Sequence, residues 1–263
     1  MLHGCVITRR TFLADLGRGT VALAVVGIAG CATQSGGSSG HPASPGQTGA
    51  GAASTAPGGS TPAGSPPGGV TWERVNLGFV SAYILVRGGE AAVVDTGTEG
   101  SETEIAAALD GVGLGWDAVG HVIVTHRHGD HAGSAAAVLE AAADATGYAG
   151  AEDIPAISVP RPLTAVADGE EVFGLRILAT PGHTAGHIAV LDEVGGILVA
   201  GDALGTGGGT VSGSNPQFTD DEAAAAASVA KLGALTFETL LVGHGEPITS
   251  GASALVAALA AGS

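Results

Sequence analysis

Cysteine is nearly missing from this chain: there are 2 in 263 residues, Cys5 and Cys31. So few cannot form a disulfide framework, and stability has to come from an apolar core or from bound metal. Basic side chains are also scarce, with 9 Lys and Arg against 25 Asp and Glu and a formal net charge of -16. A surface that neutralises phosphates cannot be built from that stock, which excludes nucleic acid and anionic lipid headgroups as partners. Aromatics make up only 3% of the residues, and no apolar run approaches the about 20 residues that a membrane-spanning helix needs. Against these shortages stand 46 glycines and 9 histidines, the latter beside a single lysine, Lys231. The composition is unusual in its ligand-type side chains more than in its charge.

Composition divides the chain in three. Residues 1–31 set Arg9 and Arg10 ahead of Phe12 and Leu13, then an apolar stretch from Val21 to Ala29, then Gly30 and Cys31, which is the order of a secretory signal. Thr8-Arg9-Arg10-Thr11-Phe12-Leu13 resembles the twin-arginine export signal, which carries proteins that have already folded. Ile28-Ala29-Gly30-Cys31 resembles a bacterial lipobox, whose cysteine receives diacylglycerol. The expectation is an exported lipoprotein facing outside the cytoplasm, with Cys31 as its lipidation site and its only membrane contact. Residues 32–69 are almost entirely Gly, Ser, Ala, Thr, Pro and Gln, too polar and too small to bury a core, and read as a disordered linker.

Residues 70–263 are the right size for one domain. Apolar runs at Val80 to Val86 and Ala91 to Val94, separated by Gly88-Gly89, predict a hairpin that ends in Asp95-Thr96-Gly97. A helix is expected from Ser101 to Leu109, with Ser101 and Glu104 at capping-box spacing. A strand at His121 to Thr125 then leads through a histidine-rich turn into a helix from Ala132 to Ala143. Further strands are expected at Val172 to Ala179, His187 to Leu191, Gly196 to Ala200 and Thr239 to Val242, the last preceded by a helix from Asp220 to Leu232. Strands in both halves with interleaved helices indicate a layered α/β domain.

Candidate chemistry collects where those strands end. Thr125-His126-Arg127-His128-Gly129-Asp130-His131 packs three imidazoles and a carboxylate between a strand and a helix. Neutral imidazole and carboxylate suit zinc and its first-row neighbours. Reading Asp130 as a helix cap among surface histidines would account for one residue of the four. Single candidates recur after later apolar runs: His183 in Pro181-Gly182-His183, Asp202 after Gly201, and His244 between Gly243 and Gly245. Any one alone would be an ordinary turn residue; seven potential ligands at successive strand ends form a constellation. His187 and His121 read as structural or supporting groups. Gly205 to Phe218 reads equally well as a substrate loop able to close over the site or as a flexible connection, and the role of Arg127 stays open.

The order H-x-H-x-D-H, then H, then D, then H resembles the metallo-β-lactamase superfamily, in particular its glyoxalase II-like hydrolase branch, over residues 70–263. The resemblance implies a four-layer αββα sandwich with two metal sites at one edge. His126, His128 and His183 would bind the first ion and Asp130, His131 and His244 the second, with Asp202 bridging. Asp95 of Val94-Asp95-Thr96-Gly97 would be a buried residue bracing the histidine turn. The implied cofactors are two divalent ions, zinc first and iron or manganese as alternatives. Five imidazoles and two carboxylates around them would leave excess positive charge, enough to make hydroxide available near pH 7 for attack on an ester, lactone or thioester carbonyl of a small-molecule substrate. Asp130 could take up the proton.

Departures from the family pattern narrow this reading. Asp202 stands where one main class of true β-lactamases uses cysteine, and only about 16 residues follow Pro247, too few for the carboxy-terminal helical region with which glyoxalase II helps bind glutathione. A mononuclear iron persulfide dioxygenase and a β-lactamase remain as alternatives, as does a tethered binding protein with a structural metal site. The sequence does not set the oligomeric state.

Overall fold

The computed structural model describes residues 68–262. The expected signal, the lipidation site Cys31 and residues 32–67 of the expected linker lie outside them.

Strand β1 (Thr71–Asn76) pairs antiparallel with β2 (Ser81–Arg87), and β2 pairs antiparallel with β3 (Glu90–Val94) across the Gly88-Gly89 turn. Both glycines of that turn have positive φ, 62° and 88°, the conformation a tight two-residue hairpin turn demands. Helix α1 (Glu102–Gly111) crosses to β4 (Val119–Ile123), which joins β3 in parallel. Two short helices, α2 (Gly129–Ala132) and α3 (Ala135–Ala141), lead to β5 (Thr146–Gly150) and β6 (Thr164–Val166), which extend the parallel half to complete a six-stranded sheet. Next come β7 (Glu171–Val172), β8 (Leu175–Ala179), β9 (Ile188–Asp192) and β10 (Ile197–Val199), all antiparallel. A separate hairpin, β11 (Leu204–Gly207) and β12 (Thr210–Gly213), precedes α4 (Glu222–Gly233). Strand β13 (Thr239–Leu241) then pairs parallel with β10 to close a five-stranded sheet ordered β13-β10-β9-β8-β7, and α5 (Ala252–Ala261) ends the described chain.

Three apolar interfaces make this a four-layer αββα sandwich. Side chains alternate along each strand, so Ile84 and Val93 face α1 and α3 while Tyr83, Leu85, Ala92 and Val94 face the other sheet. In the second sheet Ile177, Ile188, Val190 and Val199 face inward, and Leu178, Ala189, Leu191 and Leu198 meet α4 and α5. Burial on both faces explains why these strands read as continuous apolar runs. Tyr83, one of few large aromatics, donates its hydroxyl to the Val242 carbonyl at 2.8 Å, joining the two sheets.

Four local expectations change. Ser101 does not form a capping box: its N–H donates to Ser134 Oγ at 2.8 Å, so the acceptor comes from the end of a neighbouring helix instead of from Glu104. The expected single helix from Ala132 to Ala143 breaks at Gly133-Ser134, where the Gly133 N–H donates to the Gly97 carbonyl at 2.9 Å and Ser134 Oγ bonds the Thr98 carbonyl at 2.6 Å. The expected strand from Val172 to Ala179 is a hairpin, turning at Phe173 and Gly174, both with positive φ. The segment from Gly205 to Phe218 is also structured. It holds β11–β12 and a 3-10 turn (Pro216–Phe218), tied down through Ser214 Oγ to the Asp202 carbonyl (2.8 Å) and Thr206 Oγ1 to the Glu246 carbonyl (2.6 Å).

Candidate metal centre

All seven candidate ligands converge at one edge of the sandwich. Strand β4 runs out through Val124 and Thr125 into His126, buried throughout, and the chain then turns through His128 into α2, which carries Asp130 and His131. His183 lies in the turn between β8 and β9, Asp202 in the 3-10 turn after β10, and His244 just beyond β13. The parallel neighbours β3 and β4 and the parallel pair β10 and β13 thus deliver side chains from their carboxyl ends, where an α/β sheet presents functional groups.

Two clusters form. His126 Nε2 is 3.1 Å and His183 Nε2 2.9 Å from His128 Nδ1. In the second, Asp130 Oδ2 is 3.3 Å and His131 Nε2 3.5 Å from His244 Nε2. Asp202 reaches both: Oδ1 is 3.2 Å from His131 Nε2, and Oδ2 is 3.2 Å from His244 Nε2 and 3.4 Å from His183 Nε2. Donors bonded to one tetrahedral ion at 2.0–2.1 Å are separated by about 3.3 Å, so these spacings suit metal coordination. Asp202 Oδ1 is buried with no hydrogen bond of acceptable geometry, an orphaned charged acceptor that a cation would satisfy.

Supporting groups aim the rings. Asp95, 2% exposed, accepts from Thr125 N (2.7 Å), Thr125 Oγ1 (2.9 Å) and His131 Nδ1 (2.8 Å). Because the Thr125 hydroxyl donates to Asp95, its oxygen is left to accept from His126 Nδ1 at 3.0 Å, which leaves the Nε2 lone pair of His126 facing His128. His244 Nδ1 donates to the Phe79 carbonyl at 2.7 Å, and the Phe79 ring stacks on the imidazole. The Gly243 position leaves no room for a side chain, since a Cβ would overlap Asp202 Oδ1 and His131 Cε1.

The electrostatics separate the clusters. Burial holds His126 well below the usual imidazole range, lowers His128 and brings His183 down to about 4, so these rings present lone pairs. His131 is fully buried, which disfavours its charge, yet Asp95 and Asp202 push it up to about 10. Hydrogen bonds to Asp130 and Asp202 raise His244 to about 10. Asp202 lies well below the carboxylate range: burial opposes its ionisation, but the attraction of the His131 and His244 rings beside it prevails. The second cluster attracts positive charge, whether proton or metal.

His187 and His121 stay out of both clusters. His187 is buried, its Nδ1 paired with Thr180 Oγ1 (2.8 Å) and its Nε2 accepting from the Asp202 backbone N–H (3.0 Å), and burial lowers it to about 3. His121 packs against Tyr148 and Phe173. The sequence reading missed Asp153. It is fully buried, its Oδ2 accepting from Arg127 N (2.9 Å) and Thr184 Oγ1 (2.6 Å) and its Oδ1 from Gly186 N (3.0 Å) and the Arg127 guanidinium (3.1 Å). Arg127 also holds Asp220 at 2.7 Å, so it ties loops together. No local pattern around Asp153 signals this role, because its four donors come from the two histidine-bearing turns, distant in sequence.

The clusters open into a cavity of about 810 Å³ lined by His128, Asp130, His183, Asp202 and His244, by Phe79, and by β11–β12 and the turn after it.

Comparison with known proteins agrees with this geometry. The profile described as Metallo-beta-lactamase superfamily matches residues 75–244. The hydroxyacylglutathione hydrolase of Halorhodospira halophila is 38% identical over 125 residues, 46% of this chain and 41% of its own length. The chain thus matches less than half the length of that relative. Metallo-beta-lactamase domain-containing protein 1 of Xenopus laevis is 32% identical over 176 residues, 62% of this chain and 70% of its own. A metallo-beta-lactamase family protein from Thermus thermophilus superposes with a TM-score of 0.59 at 26% identity, covering 74% of this chain and 79% of that one. A protein solved in a di-iron-bound form gives a TM-score of 0.55 at 29% identity, covering 66% and 92%.

Proposed function

The chain belongs to the metallo-beta-lactamase superfamily, and on that premise we propose that it is a metal-dependent hydrolase that holds two divalent ions and cleaves an ester, lactone or thioester. The observation that carries the dinuclear reading is Asp202, whose carboxylate lies within 3.4 Å of ring nitrogens from both histidine clusters. His126, His128 and His183 would hold one ion, Asp130, His131 and His244 the other, and zinc is the proposed metal. The completeness of the second cluster favours this reading over a mononuclear iron site. When bound, such ions supply Lewis acidity and lower the pKa of water from 15.7 towards about 7.

The chain's own residues do the rest. Asp130, partly exposed at the cavity and bonded to His244, accepts the proton released as water oxygen bonds to the acyl carbon. The carbon–oxygen or carbon–sulfur bond then breaks with its electron pair going to the leaving atom, which takes up the proton that Asp130 received. His187 keeps the backbone of Asp202 in place, and Asp95 keeps His131 Nε2 directed at the cluster. Metal analysis of the full chain should give about two equivalents of a divalent transition ion. Asp202→Ala should lose hydrolysis and at least one ion; full metal retention with normal turnover would remove the bridging role.

For the amino terminus we propose twin-arginine export and lipidation at Cys31, on the strength of the sequence pattern. Residues 70–263 would then work as one hydrolase domain tethered outside the cytoplasm.

A further inference from the structure

The cavity beside the candidate metal centre has neither lysine nor arginine in its wall, and the six described basic side chains are committed elsewhere. Arg74 bonds Ser81, Glu246 and the Gly245 carbonyl; Arg87 bonds the Phe173 carbonyl and Asp192; Arg127 bonds Asp153 and Asp220. Arg161 donates to the Leu139, Ala142 and Ala145 carbonyls, Arg176 pairs with Glu193, and Lys231 with Asp168 and the Ala179 carbonyl. A substrate carboxylate would therefore find no lysine or arginine on the walls away from the metal ligands, and it would approach a chain of net charge -16.

The walls do offer apolar surface. Phe79 and Phe218, 66% and 57% exposed, are two of the few exposed large hydrophobic side chains among the described residues, and both line this cavity together with Leu204 and Pro216. They come from remote parts of the chain, the β1–β2 turn and the 3-10 turn after β12. Two exposed phenylalanines meeting at one opening mark a surface kept for an apolar ligand. The neutral polar groups between them, Thr206, Ser212, Ser214 and Asn215, can hydrogen-bond a carbonyl or hydroxyl without requiring charge.

We infer that the cavity takes an uncharged substrate whose apolar acyl group lies against Phe79, Leu204, Pro216 and Phe218, an inference that rests on the hydrolytic reading of the same site. Acyl chains ending in a carboxylate, and thioesters of strongly anionic thiols, are disfavoured. The reaction is the one already described; what is added is the class of acyl group.

Two readouts on the full-length, metal-replete protein test this. The first is kcat/KM for neutral esters and thioesters with acyl groups from acetyl to hexanoyl, plus a hexanoyl analogue carrying a terminal carboxylate. The second is calorimetric binding of methyl ketones of matching length, which are not hydrolysed, with a carboxylate-ended ketone beside them. Both should rise about four-fold per methylene, and the terminal carboxylate should lower both at least about ten-fold. Phe218→Ala, a change at an exposed side chain that the fold does not need, should cost the hexanoyl substrate more than the acetyl one. A flat or falling ketone series, or equal binding of the carboxylate-ended ketone, overturns the inference. Turnover of esters with no dependence on length also overturns it and leaves the hydrolase reading standing. Length-dependent ketone binding with no turnover of any ester or thioester supports the apolar cavity and removes the hydrolase reading.

Discussion

Asp95 combines a left-handed backbone, φ 62°, with near-complete burial. Aspartate tolerates that region better than most residues, but the conformation persists only where the surroundings determine it. Here they do so through three hydrogen bonds, two to Thr125 and one to His131 Nδ1. Asp95→Asn tests the arrangement with little change of shape. The amide can still accept from the Thr125 N–H, but turning its NH2 towards His131 favours the ring tautomer with hydrogen on Nε2, which faces the cluster. Metal affinity at the group containing Asp130, His131 and His244 should fall about 10- to 100-fold, as is usual when such a supporting partner is removed, with an unchanged circular dichroism spectrum. Chelator competition measures the loss, and unchanged affinity would show that Asp95 serves the fold alone.

Between elements, Asp153 joins the turn bearing His126 and His128 to the turn bearing His183. All its acceptor capacity is in use, so in Asp153→Asn the amide nitrogen must face donors. Leaving one buried donor unsatisfied costs about 1–3 kcal/mol, and at about 2–4 °C per kcal/mol for a domain of this size the melting temperature should drop by roughly 2–12 °C. A scan showing no drop would mean that the loops are held without it. The contrast between Asp153 and the seven candidate ligands explains what the sequence could and could not reveal. The ligands cluster within short motifs flanked by glycine, and β2 and β3 stand out through two-sided burial, so both are visible within a few residues. The capping box failed because Ser134 arrives from a neighbouring helix, and the hairpin at Phe173-Gly174 was hidden because phenylalanine rarely adopts positive φ. Strands β5 and β6 carry small or weakly apolar residues and become strands through their parallel pairing. Long-range partners decide such features, and a local window does not contain them.

At the scale of the whole molecule, the proposed anchor and the proposed centre make separate predictions. Cys31→Ser in a bacterial host should release the protein from the membrane fraction, because no helix among the described residues is long and apolar enough to cross a membrane; retention after a high-salt wash would make lipidation the wrong explanation. The centre bears on stability instead. His126, His128, Asp130 and His131 follow a strand of the six-stranded sheet, while His183, Asp202 and His244 follow strands of the five-stranded one. Ions held between them would cross-link the two halves of the sandwich at this edge, adding to hydrogen bonds such as Ile188 N to the Thr125 carbonyl and Ser81 N to the Gly243 carbonyl, both 2.9 Å. Metal that binds only the folded state, present at about 1,000 times its dissociation constant, stabilises it by about 4 kcal/mol. For a domain of this size that corresponds to roughly 8–16 °C in melting temperature. Chelation should lower the melting temperature by about that amount and added zinc should restore it, whereas Asp202→Ala, which breaks the link between the clusters, should show a smaller difference between metal-free and metal-loaded forms. A melting temperature indifferent to chelation, in protein that metal analysis shows to have been loaded, would mean that the ions do not hold the two sheets together.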